Sequence, residues 1–205
     1  MTTGDALAPF LAAWTPMMAV MMLPSAAPMI RTFRLVAADA PNPSLRMALF
    51  VIGYLLVWAA VGIPAWGLGV LLMELGAPAA QVIGVTLVVA GVYQLSPLKD
   101  VCLRACRTPM DFLVTHWYPG SLGAVRLGVE HGLYCVGCCW GLMAVFVLVG
   151  AMSLPWLVAV AAVVFAEKVS PRGALVGRVA GLALVGAGIL VLARPDLAMP
   201  NDMAI

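Results

Sequence analysis

The chain has 205 residues, 64% of them hydrophobic and 10% charged, with a formal net charge of +2. Soluble domains carry about 25% charged residues, so with a mean hydropathy of +1.07 a soluble globular domain is excluded and an integral membrane protein is expected. So small a charge offers no electrostatic footprint for nucleic acid, and five cysteines, an odd number, exclude complete disulfide pairing within one chain.

A helix that crosses a bilayer needs about 20 mainly apolar residues. Six segments meet that requirement, at 8–30, 46–73, 80–98, 121–150, 152–169 and 173–193. They predict a single integral membrane domain over 1–205, an all-α polytopic bundle of about six transmembrane helices. No Lys or Arg precedes Arg31, so the first apolar run lacks the basic region of a signal peptide and is read as a retained span. The connections are polar and marked by proline, as in Ala40-Pro41-Asn42-Pro43-Ser44 and Thr108-Pro109. The turn at Gly150–Leu154 is short, and five- and seven-span readings stay open there.

Orientation follows from the basic residues. Arg31, Arg34 and Arg46 flank the first connection, Lys99, Arg104 and Arg107 the third, and Lys168 and Arg172 the fifth; Arg126 and Arg178 begin spans four and six on that same side. Of the 11 Lys and Arg, only Arg194 falls opposite. That asymmetry predicts both termini on the non-cytoplasmic side.

Span one carries Met17, Met18, Met21 and Met22, two pairs at i, i+4 about midway through the bilayer. Thioethers are soft ligands suited to Cu(I), although methionine also fills apolar helix contacts. Pro16, Pro24 and Pro28 are expected to kink or break this helix and free backbone carbonyls, which a membrane tolerates only inside protein or beside a polar cavity. Span two holds Pro64, Tyr54, Trp58 and Trp66, read as packing or interfacial residues with no chemistry. After span three, Cys102 and Cys106 stand at i, i+4, so one helical turn puts both thiols on a face. Arg104 and Arg107 beside them favour the thiolate, which binds metal or attacks disulfides.

Span four contains Glu130-His131-Gly132-Leu133-Tyr134-Cys135-Val136-Gly137-Cys138-Cys139-Trp140. His131, Cys135, Cys138 and Cys139 follow i, i+4, i+7, i+8 and share one helix face. Lipid contact needs no thiols, so the stripe points to a soft metal or to thiol redox chemistry. A single buried cysteine is often only a small hydrophobe; four donors on one face, with a second pair nearby, are harder to explain that way. Glu130, costly in lipid, should face the interior and find a partner. At 1.5 Å per residue, His131 lies roughly 15 Å and Cys138 roughly 26 Å along span four. The two cysteine clusters therefore share one ion only if the 99–116 segment folds back; otherwise they are two stations on one path. Glu167 and Lys168 end span five at the expected membrane boundary, where a salt link or snorkelling is the ordinary reading. Gly173, Gly177 and Gly181 make a small-residue stripe for close packing, within the chain or against another subunit.

Met17 to Ser25, Tyr93 to Arg107, His131 to Trp140 with its Cys-Xaa-Gly-Cys-Cys-Trp core, and Glu167-Lys168 with Pro171 together resemble the DUF2182 family of predicted metal-binding bacterial integral membrane proteins. The resemblance spans residues 14 to 173. It implies a multi-span protein of the bacterial cytoplasmic (inner) membrane that binds metal, copper in particular.

The leading reading is a Cu(I) site for transport, delivery or insertion rather than bond-making catalysis. Cys135, Cys138 and Cys139 would be thiolates and His131 an imidazole donor, with Cys102 and Cys106 a second thiol pair and the methionines weaker stations. Zinc is the alternative metal, since His131 and three cysteines make a closed four-ligand set. Haem is disfavoured because no C-x-x-C-H motif is present. Partners expected are the bilayer, a metal donor or acceptor protein, and a second copy or larger complex docked on the Gly173/Gly177/Gly181 face. The rival functions are a membrane thiol oxidoreductase using Cys135/Cys138, which has redox-pair spacing, with Cys139 and Cys102/Cys106, and a non-catalytic subunit of a larger complex. No P-loop, nucleotide fingerprint or HExxH occurs.

Overall fold

The computed structural model describes residues 3–150 and 154–195. Among them the chain is helical, with no strand: α1 (Thr3–Val36), α2 (Pro43–Glu74), α3 (Ala79–Gln94), α4 (Pro97–Arg107), α5 (Pro109–Thr115), α6 (Gly120–Gly150), α7 (Leu154–Val169) and α8 (Gly173–Ala193). A helix stands at the place of each predicted span. Four of them, α1, α2, α6 and α8, are long and apolar enough to cross a membrane alone. Helices α3 and α4, bent by 65° at Leu95–Ser96, make a fifth if the pair counts as one broken span. With 16 residues each, α3 and α7 extend about 24 Å at 1.5 Å per residue, short of a hydrocarbon core of about 30 Å. The turn expected at Gly150–Leu154 falls on residues 151–153, outside the described residues.

Of the kink or break expected in span one, the break does not occur: helix α1 runs unbroken through Pro9, Pro16, Pro24 and Pro28. An interior proline costs a helix about 3 kcal/mol, but breaking a helix in an apolar setting strands several backbone groups at several kcal/mol each, so continuity wins. The segment after span three, where the spacing of Cys102 and Cys106 points to a helical turn, is occupied by α4 and α5.

By contacts, the chain sorts into two compact units, Met1–Val70 with Val101–Cys138 and Leu71–Asp100 with Cys139–Ile205. In the first, α2 and α6 touch backbone to backbone. A Cβ on Gly53 would lie 2.3 Å from the Val125 carbonyl oxygen, and one on Gly128 only 2.1 Å from that of Phe50, so only glycine permits this approach. Met29, Phe33, Phe50, Phe112, Leu113 and Leu127 fill the adjoining core. The Trp14 indole donates to the Trp58 carbonyl at 2.8 Å, tying α1 to α2.

In the second unit α3 lies along α8 through small residues. A Cβ on Gly91 would meet the Gly181 carbonyl oxygen at 2.6 Å. Gly173, Gly177, Gly181 and Gly188 are all buried, so of the two partners left open for this stripe, another subunit or the chain itself, the chain itself covers it.

Candidate metal centre

The close approach of α2 and α6 decides what surrounds the histidine and cysteines of α6. His131 is 2% exposed and sits among aromatic rings, with centroids 5.4 Å from Phe112, 5.9 Å from Tyr54 and 6.1 Å from Phe50. One turn further on, the Cys135 thiol meets the Tyr54 hydroxyl at 3.0 Å. That hydroxyl also reaches the Met22 carbonyl on α1, at 3.5 Å. A phenol has one proton: it goes to the carbonyl while Cys135 is a thiol, and to sulfur once Cys135 is a thiolate. Tyr54 thus joins the methionine helix to the cysteine helix. Read from sequence it was only a packing residue; the overlooked signal was a phenol in the middle of an apolar span, whose polar tip needs a partner when buried.

Helix α4 folds back onto α6. The Cys106 thiol lies 3.8 Å from that of Cys138, and Cys138 also donates to the Cys135 carbonyl at 3.1 Å. Of the five cysteines, Cys106, Cys135, Cys138 and Cys139 are buried and Cys102 is half-buried. The Cys102 sulfur rests over Gly137, where a Cβ would come within 2.7 Å of it. Cys139 opens the part of α6 that belongs to the second unit. On α1, Met18, Met21 and Met22 are buried and Met17 is half-buried.

The donor chemistry fits a soft cation. At a thiolate–metal bond of roughly 2.3 Å, two sulfurs 3.8 Å apart subtend an angle of about 110° at one ion, so neither side chain has to move far. The wider set does not converge: among the described residues, no three His, Cys, Asp or Glu side chains are grouped so as to hold a metal ion.

Glu167, for which a salt link or snorkelling is the ordinary reading, is 1% exposed and forms a 2.8 Å salt bridge, with Lys99. The Gln94 side-chain amide donates to the same carboxylate at 2.7 Å. A pair this deep needs both charges, because an isolated one in apolar surroundings is prohibitive. Gly177 makes the room, since its Cβ would stand 3.2 Å from Glu167 Oε1 and 3.3 Å from Lys99 Nζ. Glu130 does find partners, in the Arg126 guanidinium at 3.1 Å and the Tyr118 hydroxyl at 3.0 Å. It is only half-buried, on an open cleft of about 480 Å³ that Cys102, His116, Leu133 and Tyr134 also line. Tyr118 lies outside the membrane-spanning segments, and the hydrogen bond it donates to the Glu130 carboxylate holds its phenol above the ordinary range.

A family model described as PpoB2, copper chaperone, matches residues 11–191. No curated protein gives a significant match, and no solved structure does.

Proposed function

Since the chain belongs to the PpoB2 copper chaperone family, we propose that it carries Cu(I) within the bacterial inner membrane, for transport, delivery to an acceptor protein or insertion. The observation that carries this reading is the approach of two buried cysteine sulfurs, those of Cys106 and Cys138, to 3.8 Å from separate helices. Thiolates and thioethers select Cu(I) over harder ions, and the buried methionines of α1 supply the second donor type. In this reading Cys106 and Cys138 hold the ion. Cys135, Cys139 and His131 are further donors along α6, Cys102 is an outer thiol, and Met17, Met18, Met21 and Met22 are weaker stations. The chain is treated as one membrane domain of about six spans with both termini outside. The one-sided basic residues support that topology, and the four long apolar helices support a membrane setting.

Elemental analysis of anaerobic, detergent-purified protein tests the proposal. Near-stoichiometric copper should disappear in Cys106→Ser/Cys138→Ser and in Cys138→Ser/Cys139→Ser, with helix content unchanged. Wild-type stoichiometry in the first variant would end it.

The same 3.8 Å pair supports a second reading, thiol redox, with Cys106–Cys138 rather than Cys135–Cys138 as the couple. Closing it needs the sulfurs to approach only to about 2.05 Å. Protein that takes up no Cu(I), yet yields a Cys106–Cys138 disulfide on mild oxidation, would favour this reading instead.

A further inference from the structure

Cys106 and Cys138 are 7% and 1% exposed, so an ion held between them needs a route in and out. We propose that the cleft lined by Cys102, His116, Glu130, Leu133 and Tyr134 is the port through which Cu(I) reaches and leaves that pair. The inference rests on the reading of the pair as a copper station. Three observations carry it.

The first is continuity of thiols. Cys102 lines the cleft, is half-buried, and precedes Cys106 by four residues on α4, one turn along the same face. Its sulfur rests over Gly137, the residue before Cys138. Cys102 therefore stands between the open cleft and the buried pair.

The second is a nitrogen donor that sequence reading did not single out. His116 Nδ1 lies 2.7 Å from Thr115 Oγ1 and 3.1 Å from the Phe112 carbonyl. A carbonyl only accepts, and the one proton of the Thr115 hydroxyl is engaged by the Asp111 and Phe112 carbonyls, at 2.8 and 3.2 Å. The Phe112 contact is a hydrogen bond in the Nδ1–H tautomer, which leaves the lone pair on Nε2, the arrangement that prepares a histidine for a metal.

The third is an orphaned acceptor. Glu130 Oε1 takes both Arg126 and Tyr118, whereas Oε2 is buried with no hydrogen-bond partner. A carboxylate oxygen left so costs free energy and draws a cation toward this wall of the cleft.

These donors are not grouped to hold one ion, which suits a place of passage. Each transfer is a ligand exchange: a copper–sulfur bond to Cys106 forms as the bond to Cys102 breaks. Copper stays Cu(I), and a thiol proton moves from Cys106 to Cys102.

The test is anaerobic stopped-flow transfer of Cu(I) between the full-length protein in detergent and the chromogenic chelator bicinchoninate, in both directions. Cys102→Ser should slow transfer at least tenfold, His116→Gln several-fold, and Leu133→Trp, which plugs the cleft without removing a donor, several-fold. Rates within twofold of wild type in all three variants would overturn the port. So would outright loss of copper in Cys102→Ser to the extent seen in Cys106→Ser, because Cys102 would then be a holding ligand. Wild-type protein that takes up no copper would refute the pair itself, and the port with it.

Discussion

Replacing Tyr54 by Phe removes one oxygen from a residue that is 1% exposed and leaves its ring packed beside His131, so no cavity of consequence opens. The hydroxyl's contacts to Met22 and Cys135 go with it. The one to the Met22 carbonyl, at 3.5 Å, is at the limit of a hydrogen bond and contributes little. The 3.0 Å contact to Cys135 is the one that matters. A neutral hydrogen bond contributes about 1 kcal/mol net and one to a charged group about 1.5–3 kcal/mol. The copper-free thiol should therefore lose about 1 kcal/mol of stability, and the Cys135 thiolate, when it serves as a further donor to copper, about 0.5–2 kcal/mol more. At 1.4 kcal/mol per decade, that difference weakens Cu(I) binding roughly 2- to 30-fold. Equilibrium competition against a Cu(I) chelator reads the affinity, and thermal unfolding of the copper-free protein reads the stability. Undiminished affinity at wild-type stoichiometry would refute the reasoning and return Tyr54 to a packing role.

Lys99→Met takes the ammonium away from the buried Glu167 carboxylate, and should cost about 3–5 kcal/mol of stability. Lys99→Met/Glu167→Leu should recover most of it, and a double variant no more stable in detergent than the single would argue against the ion pair as the cause. Gly128→Ala places a methyl 2.1 Å from the Phe50 carbonyl oxygen. It should cost about 1–3 kcal/mol and weaken copper binding, whereas Gly67→Ala, with nothing within 4 Å, should be neutral or slightly stabilising. If Cu(I) occupies the Cys106–Cys138 pair, saturating metal should block formation of that disulfide on oxidation, as peptide mapping would detect. The raised Tyr118 phenol favours its neutral form in the folded protein. Its contribution is fully present below the ordinary phenol range and lost as pH rises through the elevated value. Tyr118 should accordingly ionise late in an ultraviolet titration, and Glu130→Gln should lower its midpoint.

Local chemistry made much of this chain legible. Helix formation and position follow from runs of apolar residues, because backbone groups in such surroundings must bond within their own segment. Hence each of the six predicted spans has a helix at its place, although the ends shift, as in Thr3–Val36 against 8–30. The alignment of His131, Cys135 and Cys138 on one face is a matter of helical pitch, and that Glu130 would need a partner is a matter of desolvation. Contacts between distant segments are another matter. Cys106 and Cys138 are separated by 32 residues and Lys99 and Glu167 by 68, and no periodicity links them. Their pairing depends on how closely helices approach, which Gly53 and Gly128 allow for α2 and α6, and on α4 folding back so that a thiol first assigned to a connection lies against the cysteine helix. Tyr54 shows the same division. Its place on an apolar helix can be read from the chain, but the thiol at its hydroxyl depends on the packing of α2 against α6, because a hydrogen bond needs its two atoms within about 3 Å and only packing brings residues 81 positions apart that near.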